Sequence, residues 1–112
     1  MLDEGAAVPV HALLQTYAVL TGFPPPHRAP PALVDEWLNR RFAEILAPPD
    51  AQQQRSLISR LASAGRIGGS IYDGLIALST LLAGRVLVTA DERAVPVYDL
   101  IGVEWQFLES VP

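Results

Sequence analysis

Apolar residues recur along this chain with two periods, and the switches between them divide it into alternating strands and helices. Val8-Pro9-Val10 is a short extended run, after which Leu13, Leu14, Tyr17 and Leu20 follow at helical spacing. Leu33, Val34, Trp37, Leu38, Phe42, Ile45 and Leu46 form a longer stripe. It predicts a helix from Pro31 to Leu46, bracketed by prolines, with most of the stripe in the core. Asp50 is placed to cap the next helix, with Leu57, Ile58 and Leu61 as its inner face and Gly65 as its stop. Ser70 predicts the N-cap of another, in which Ile71, Leu75, Leu78 and Leu82 recur until Gly84. Arg85–Ala90 is then a β-branched apolar run that breaks at Asp91, and its near-continuous apolarity suits a strand covered on both faces. Val95, Tyr98, Leu100 and Ile101 predict a short helix with Pro96 near its start. The alternation of Val103, Trp105 and Phe107 predicts a half-buried edge strand over Val103–Leu108.

This order places the chain in the α/β class and puts one acid at each of two element boundaries. Asp73 falls in the first turn of the helix that Ser70 opens, and Asp91 at the carboxyl end of the following strand. In an α/β layer a helix runs antiparallel to the strand it leads into, so the two acids come to the same sheet edge. That edge, outside the carboxyl ends of parallel strands, is where open α/β sheets bind ligands. Two carboxylates held close repel unless a proton or a cation intervenes. A hard cation such as Mg²⁺, which takes oxygen ligands and keeps several waters, suits them. The ordinary reading stands beside this one: an acid in a first turn favours the helix dipole, and an Asp after a strand opens a turn.

Composition narrows the field. The chain has 112 residues, half of them hydrophobic, with no apolar run long enough to span a bilayer, so one domain over residues 1–112 is the expectation. There is no cysteine, which removes disulfides and thiolate metal sites. All eight basic residues are arginine, and the net charge of −4 is the wrong sign for indiscriminate nucleic-acid binding. Asp3 and Glu4 stand where a secretory signal would be basic, so a cytoplasmic location is expected. Arg66-Ile67-Gly68-Gly69-Ser70 is Gly-rich and opens a helix, but it lacks the Gly-Lys-Ser/Thr ending of a nucleotide P-loop. Its amides remain candidates for one substrate phosphate. Arg66 and Arg93 flank the acid pair, either as phosphate contacts or as solvated surface arginines. A lone His11 at the end of the first strand more often packs or hydrogen-bonds than ligates.

Tyr72-Asp73-Gly74-Leu75-Ile76-Ala77, then Leu87-Val88-Thr89-Ala90-Asp91, then Tyr98-Asp99-Leu100-Ile101-Gly102-Val103 resemble the closing half of a PIN domain, especially the VapC-type toxin ribonucleases. The upstream run from Val8 to Thr21, with Pro24-Pro25-Pro26-His27-Arg28 after it, is similar to the middle of such members. The resemblance implies a PIN-like three-layer fold, with a mainly parallel sheet flanked by helices. It also implies a Mg²⁺-dependent (or Mn²⁺-dependent) ribonuclease toxin of a type II toxin–antitoxin pair. Its partners would be a cognate antitoxin protein, an RNA substrate and a second copy in a homodimer, with no membrane. Asp73 and Asp91 would be the catalytic and metal-binding acids, with Ser70 and Thr89 as substrate contacts or supports behind the metal.

Two departures from the family pattern follow. The family opens with a strand ending in Asp and carries a Glu on the helix after its second strand. Here Met1–Ala7 runs straight into what resembles the second strand, so the first strand and its Asp, roughly 20 to 30 residues with the following helix and connection, have no counterpart. Gln15 stands where the family's Glu aligns, and it serves either as a neutral oxygen donor or as a partly exposed helix residue. Without a central first strand, Val8–Val10 must pair with Arg85–Ala90, another chain must supply a strand, or the protein begins upstream. With two of four acids, weak metal binding and slow or absent cleavage are expected. The alternative function is a degenerate toxin remnant that only binds an antitoxin or dimerises. A third possibility is an unrelated α/β binding domain whose acids cap elements. Leu13, Leu14, Tyr17 and Leu20, together with the Trp37 stripe, leave surplus apolar helix surface, a mark of a dimer contact or partner groove.

Overall fold

The computed structural model describes residues 6–108, which divide into two compact units on either side of Leu46 and Ala47. The class is α/β, and every strand pairing among the described residues is parallel.

The N-terminal unit runs β1 (Ala6–Pro9), α1 (Val10–Gly22), α2 (Pro31–Arg41), β2 (Phe42–Leu46). β1 and β2 pair in parallel, with Val8 opposite Ile45 and Pro9 opposite Leu46 and an irregularity between Ala6 and Ala7. One expectation is corrected here. The helix over Pro31–Leu46 ends at Arg41, and its last five residues are a strand. The first strand takes this β2 as its hydrogen-bonded neighbour, where pairing with Arg85–Ala90 was one of three alternatives. Phe42, Ile45 and Leu46 satisfy either period, as short apolar runs do. The ladder to β1 satisfies backbone groups that a frayed last helical turn beside Pro48-Pro49 would leave open. The apolar stripe is also less buried than expected. Val34, Leu38 and Leu46 are core, but Leu33, Trp37 and Ile45 are exposed. α1 buries none of its residues, and Leu14, Tyr17 and Val19 are open on it, in line with the surplus apolar surface.

The C-terminal unit runs α3 (Ala51–Ser63), α4 (Ser70–Leu82), β3 (Leu87–Thr89), a 3₁₀ turn (Glu92–Ala94), α5 (Val95–Ile101), β4 (Trp105–Phe107). Asp50 caps α3 in a reciprocal box. Its Oδ1 accepts from Gln53 N–H at 2.7 Å, and Gln53 Oε1 accepts from Asp50 N–H at 2.8 Å. α3 and α4 stop in the same way. Gly65 (φ +71°) and Gly84 (φ +69°) adopt the left-handed conformation that glycine reaches without a steric penalty. Arg66 N–H then bonds Leu61 O, and Arg85 N–H bonds Thr80 O, closing the last carbonyls of each helix. β3 and β4 pair in parallel with Leu87 opposite Trp105 and Thr89 opposite Phe107. The core gathers Leu57, Leu61, Ala77, Leu87, Val97, Tyr98, Ile101 and Val103. At the α3–α4 contact Gly74 permits close approach, since a Cβ there would stand 3.2 Å from Leu57 Cδ1. Among the described residues no helix is long and apolar enough to cross a membrane.

One capping expectation changes. Gly69, not Ser70, is the N-cap of α4; Ser70 is its first residue, and no side chain caps the helix. The 3₁₀-like winding of Ile67-Gly68-Gly69 explains this. Ser70, Ile71 and Tyr72 N–H groups bond the carbonyls of Ile67, Gly68 and Gly69, so most of the donors a cap would satisfy are already used.

Candidate functional site

Asp73 lies half-buried in the first turn of α4, and Asp91 follows β3 as the cap of the 3₁₀ turn. Asp73 senses Asp91. Burial raises the Asp73 carboxyl above its ordinary 3.8, the charge of Asp91 raises it further, and the Arg93 guanidinium lowers it. Asp91 also does a structural job: its Oδ1 accepts from Arg93 N–H at 3.0 Å and lies 3.5 Å from Arg93 Nε. Both ordinary roles of these acids are therefore filled, and the repulsion between them remains.

Behind the pair sits a buried hydroxyl couple that periodicity did not reveal. Thr89 Oγ1 accepts from Asp91 N–H at 3.0 Å and meets Tyr98 Oη at 3.3 Å. Tyr98 is nearly inaccessible. Its phenol is pushed up by burial, drawn down by the Thr89 hydrogen bond, and pushed up again by Asp73 and Asp91. Thr89 thus fixes the backbone that presents Asp91, and Tyr98 fixes Thr89. The signal in the sequence was the position of Tyr98, seven residues past Asp91 and on the face of α5 turned to β3, which reads as core until the hydroxyl's partner is known.

Among the other candidates, Ser70 is half-buried at the start of α4, Arg66 is exposed just past the end of α3, and Arg93 is almost fully exposed. Gln15 is exposed on α1, in the N-terminal unit. Among the described residues no group of three or more His, Asp or Glu side chains gathers as a metal site. The acids come as a pair. Two mutually repelling carboxylates fit a divalent cation that keeps most of its waters, which is the habit of Mg²⁺. The donor set therefore suits a weakly held ion.

The repulsion has a measurable sign. A carboxyl whose folded pKa is raised holds its proton more tightly folded than unfolded, so stability falls as pH rises from 3.8 through the folded value and stays lower above it. In metal-free buffer Asp73→Asn is therefore expected to be more stable than the wild type at pH 7, with the gap closing as the pH falls below 3.8. Urea unfolding midpoints at pH 3 and pH 7 check this. A variant less stable at pH 7 would show that the carboxylate is held by favourable contacts instead.

Comparison with known proteins finds two relatives in Mycobacterium tuberculosis. Ribonuclease VapC40 is 38% identical over 103 residues, covering 92% of this chain and 77% of that protein. Ribonuclease VapC27 is 38% identical over 98 residues, covering 88% of this chain and 71% of that protein. No family model matches the sequence, and no solved structure matches it.

Proposed function

Since this chain belongs to the VapC-type PIN ribonucleases, we propose that it is the toxin of a toxin–antitoxin pair and hydrolyses RNA phosphodiesters, with Asp73 and Asp91 as its metal-binding acids. The observation that carries the site assignment is the placement of Asp73 in the first turn of α4 and of Asp91 directly after β3, with burial and then the charge of Asp91 raising the Asp73 carboxyl. When bound, a divalent cation, Mg²⁺ or Mn²⁺, supplies a water acidic enough to attack and charge to stabilise the phosphate in the transition state. The chain's own residues do the rest. Asp73 and Asp91 make the negative, oxygen-lined site, and Thr89 with Tyr98 keeps Asp91 from drifting. The Arg93 guanidinium, 93% exposed beside Asp91, is free to turn toward an RNA phosphate. Ser70, the first residue of α4, is a further candidate for the same strand. A cognate antitoxin, a homodimer and a cytoplasmic location belong to this reading.

The test is cleavage of a labelled single-stranded RNA by the full chain in Mg²⁺, in Mn²⁺ and in EDTA. Slow cleavage that EDTA abolishes supports the enzyme. Cleavage indifferent to EDTA would sink the metal role. Gln15, exposed on α1 and neutral where the family has a Glu, favours a second reading in which the chain binds its partner without catalysis. No cleavage with either metal, alongside retained binding of the antitoxin, would select it.

A further inference from the structure

The C-terminal unit carries an open apolar trough between α3 and α4 that plays no part in the acid site. Its wider section, about 350 Å³, is lined chiefly by Arg55, Leu57, Ile58, Ile71, Tyr72 and Leu75. It continues into a second depression of about 170 Å³ through the shared Ile58 and Ile71 and ends at Arg66. Ile58 is 51% exposed and Ile67, just beyond, 83%, so an oily floor lies open to water.

We propose that this trough docks an amphipathic helical segment of a partner protein whose flanks carry carboxylates. The charges choose the occupant. From Ala51 to Tyr72 the chain has Arg55, Arg60 and Arg66 and no acid, against a net charge of −4 overall. Arg60 is occupied, its guanidinium donating to Leu100 O. Arg55 and Arg66 have no ion pair among the described residues and stand at opposite ends of the trough. Arg66 lies three residues past the last residue of α3, and the helical stretch from Arg55 to Ser63 alone spans roughly 12 Å at 1.5 Å per residue, a little over two turns. An apolar stripe at i, i+3, i+4 and i+7 fills such a floor, and carboxylates at its two ends meet the guanidiniums. A second copy of this chain presenting the same face would set arginine against arginine. RNA would find aliphatic side chains and a single tyrosine where it needs stacking platforms. The assignment does not rest on the ribonuclease reading, and its test excludes metal so that either can fail alone.

The probe is a fluorescein-labelled helical peptide of about 14 residues, with leucines on one face and glutamates beside them. Its counterpart has lysine at every glutamate. Both are titrated with the full chain in EDTA and low salt. The glutamate peptide is expected to bind about tenfold more tightly than the lysine peptide. Arg55→Glu with Arg66→Glu should reverse the order, and Ile58→Glu should weaken both peptides while circular dichroism shows the fold intact. Equal affinity for the two peptides would overturn the proposal. So would displacement of the glutamate peptide by a single-stranded RNA, or a wild-type dimer in sedimentation that Ile58→Glu converts to monomer, since the occupant would then be RNA or a second copy.

Discussion

Replacing Asp73 by asparagine, or Asp91 by asparagine, is expected to lower metal-dependent RNA cleavage at least about a hundredfold, which corresponds to about 2.7 kcal/mol of transition-state stabilisation. The amide keeps the shape of the side chain and gives up the charge, so a site built from two carboxylates loses half its attraction for the cation. The same change should erase a second signal that needs no turnover. With a Kd on the order of 1 mM, 10 mM Mg²⁺ stabilises the wild type by about 1.4 kcal/mol, and the variant by almost nothing. Because Asp73→Asn is expected to relieve the repulsion from Asp91, its urea midpoint at pH 7 separates lost cleavage from unfolding. Undiminished cleavage in both variants, or equal stabilisation by Mg²⁺ in variant and wild type, would remove the acid pair from the mechanism.

Leu57→Ala is expected to cost about 2–5 kcal/mol, the range for emptying a buried leucine site. That is a large share of the stability of a chain of this size. Leu57 is 3% exposed and its Cδ1 lies against Gly74 across the helix pair. Gly74→Ala alone should change little. The gain of about 1 kcal/mol in helix propensity is offset by a methyl that must push Leu57 aside from 3.2 Å. In the Leu57→Ala background that obstruction is gone and the methyl enters the vacated space, so the pair should be more stable than the sum of the single changes. Urea midpoints for the four proteins of the cycle measure this coupling. Strict additivity would mean that the helices relax apart and that Gly74 is not what sets their approach.

What could be read from the sequence, and what could not, divides by how local the deciding force is. α3 was legible because Asp50, Gln53 and Gly65 settle its two ends by short-range hydrogen bonds and a single backbone conformation. α5 was legible from the local spacing of Val95, Tyr98, Leu100 and Ile101 with Pro96 near its start. The family was legible from the order of its short motifs, and the relatives bear it out. β2 was not, since Phe42–Leu46 carries a pattern that either element accepts and the choice is made by β1, more than thirty residues away. The role of Ser70 was misjudged because the carbonyls of Ile67, Gly68 and Gly69 reach the first donors of α4 before a hydroxyl is needed. Asp73 and Asp91 were named from element boundaries alone, but Tyr98 was invisible as a support, since its partner Thr89 is an accident of register between α5 and β3.

The two parallel ladders also differ in how much chain they enclose. Leu87 finds Trp105 eighteen positions later, while Val8 finds Ile45 after thirty-seven. Closing a loop of twice the length costs about 0.6 kcal/mol more entropy, and distant pairings slow the search for the native state. The β3–β4 ladder therefore forms early, and the β1–β2 ladder waits for two helices to bring its strands together. On a ribosome that order is inverted: the slow ladder is synthesised first and has the whole time of elongation of the remaining chain in which to close.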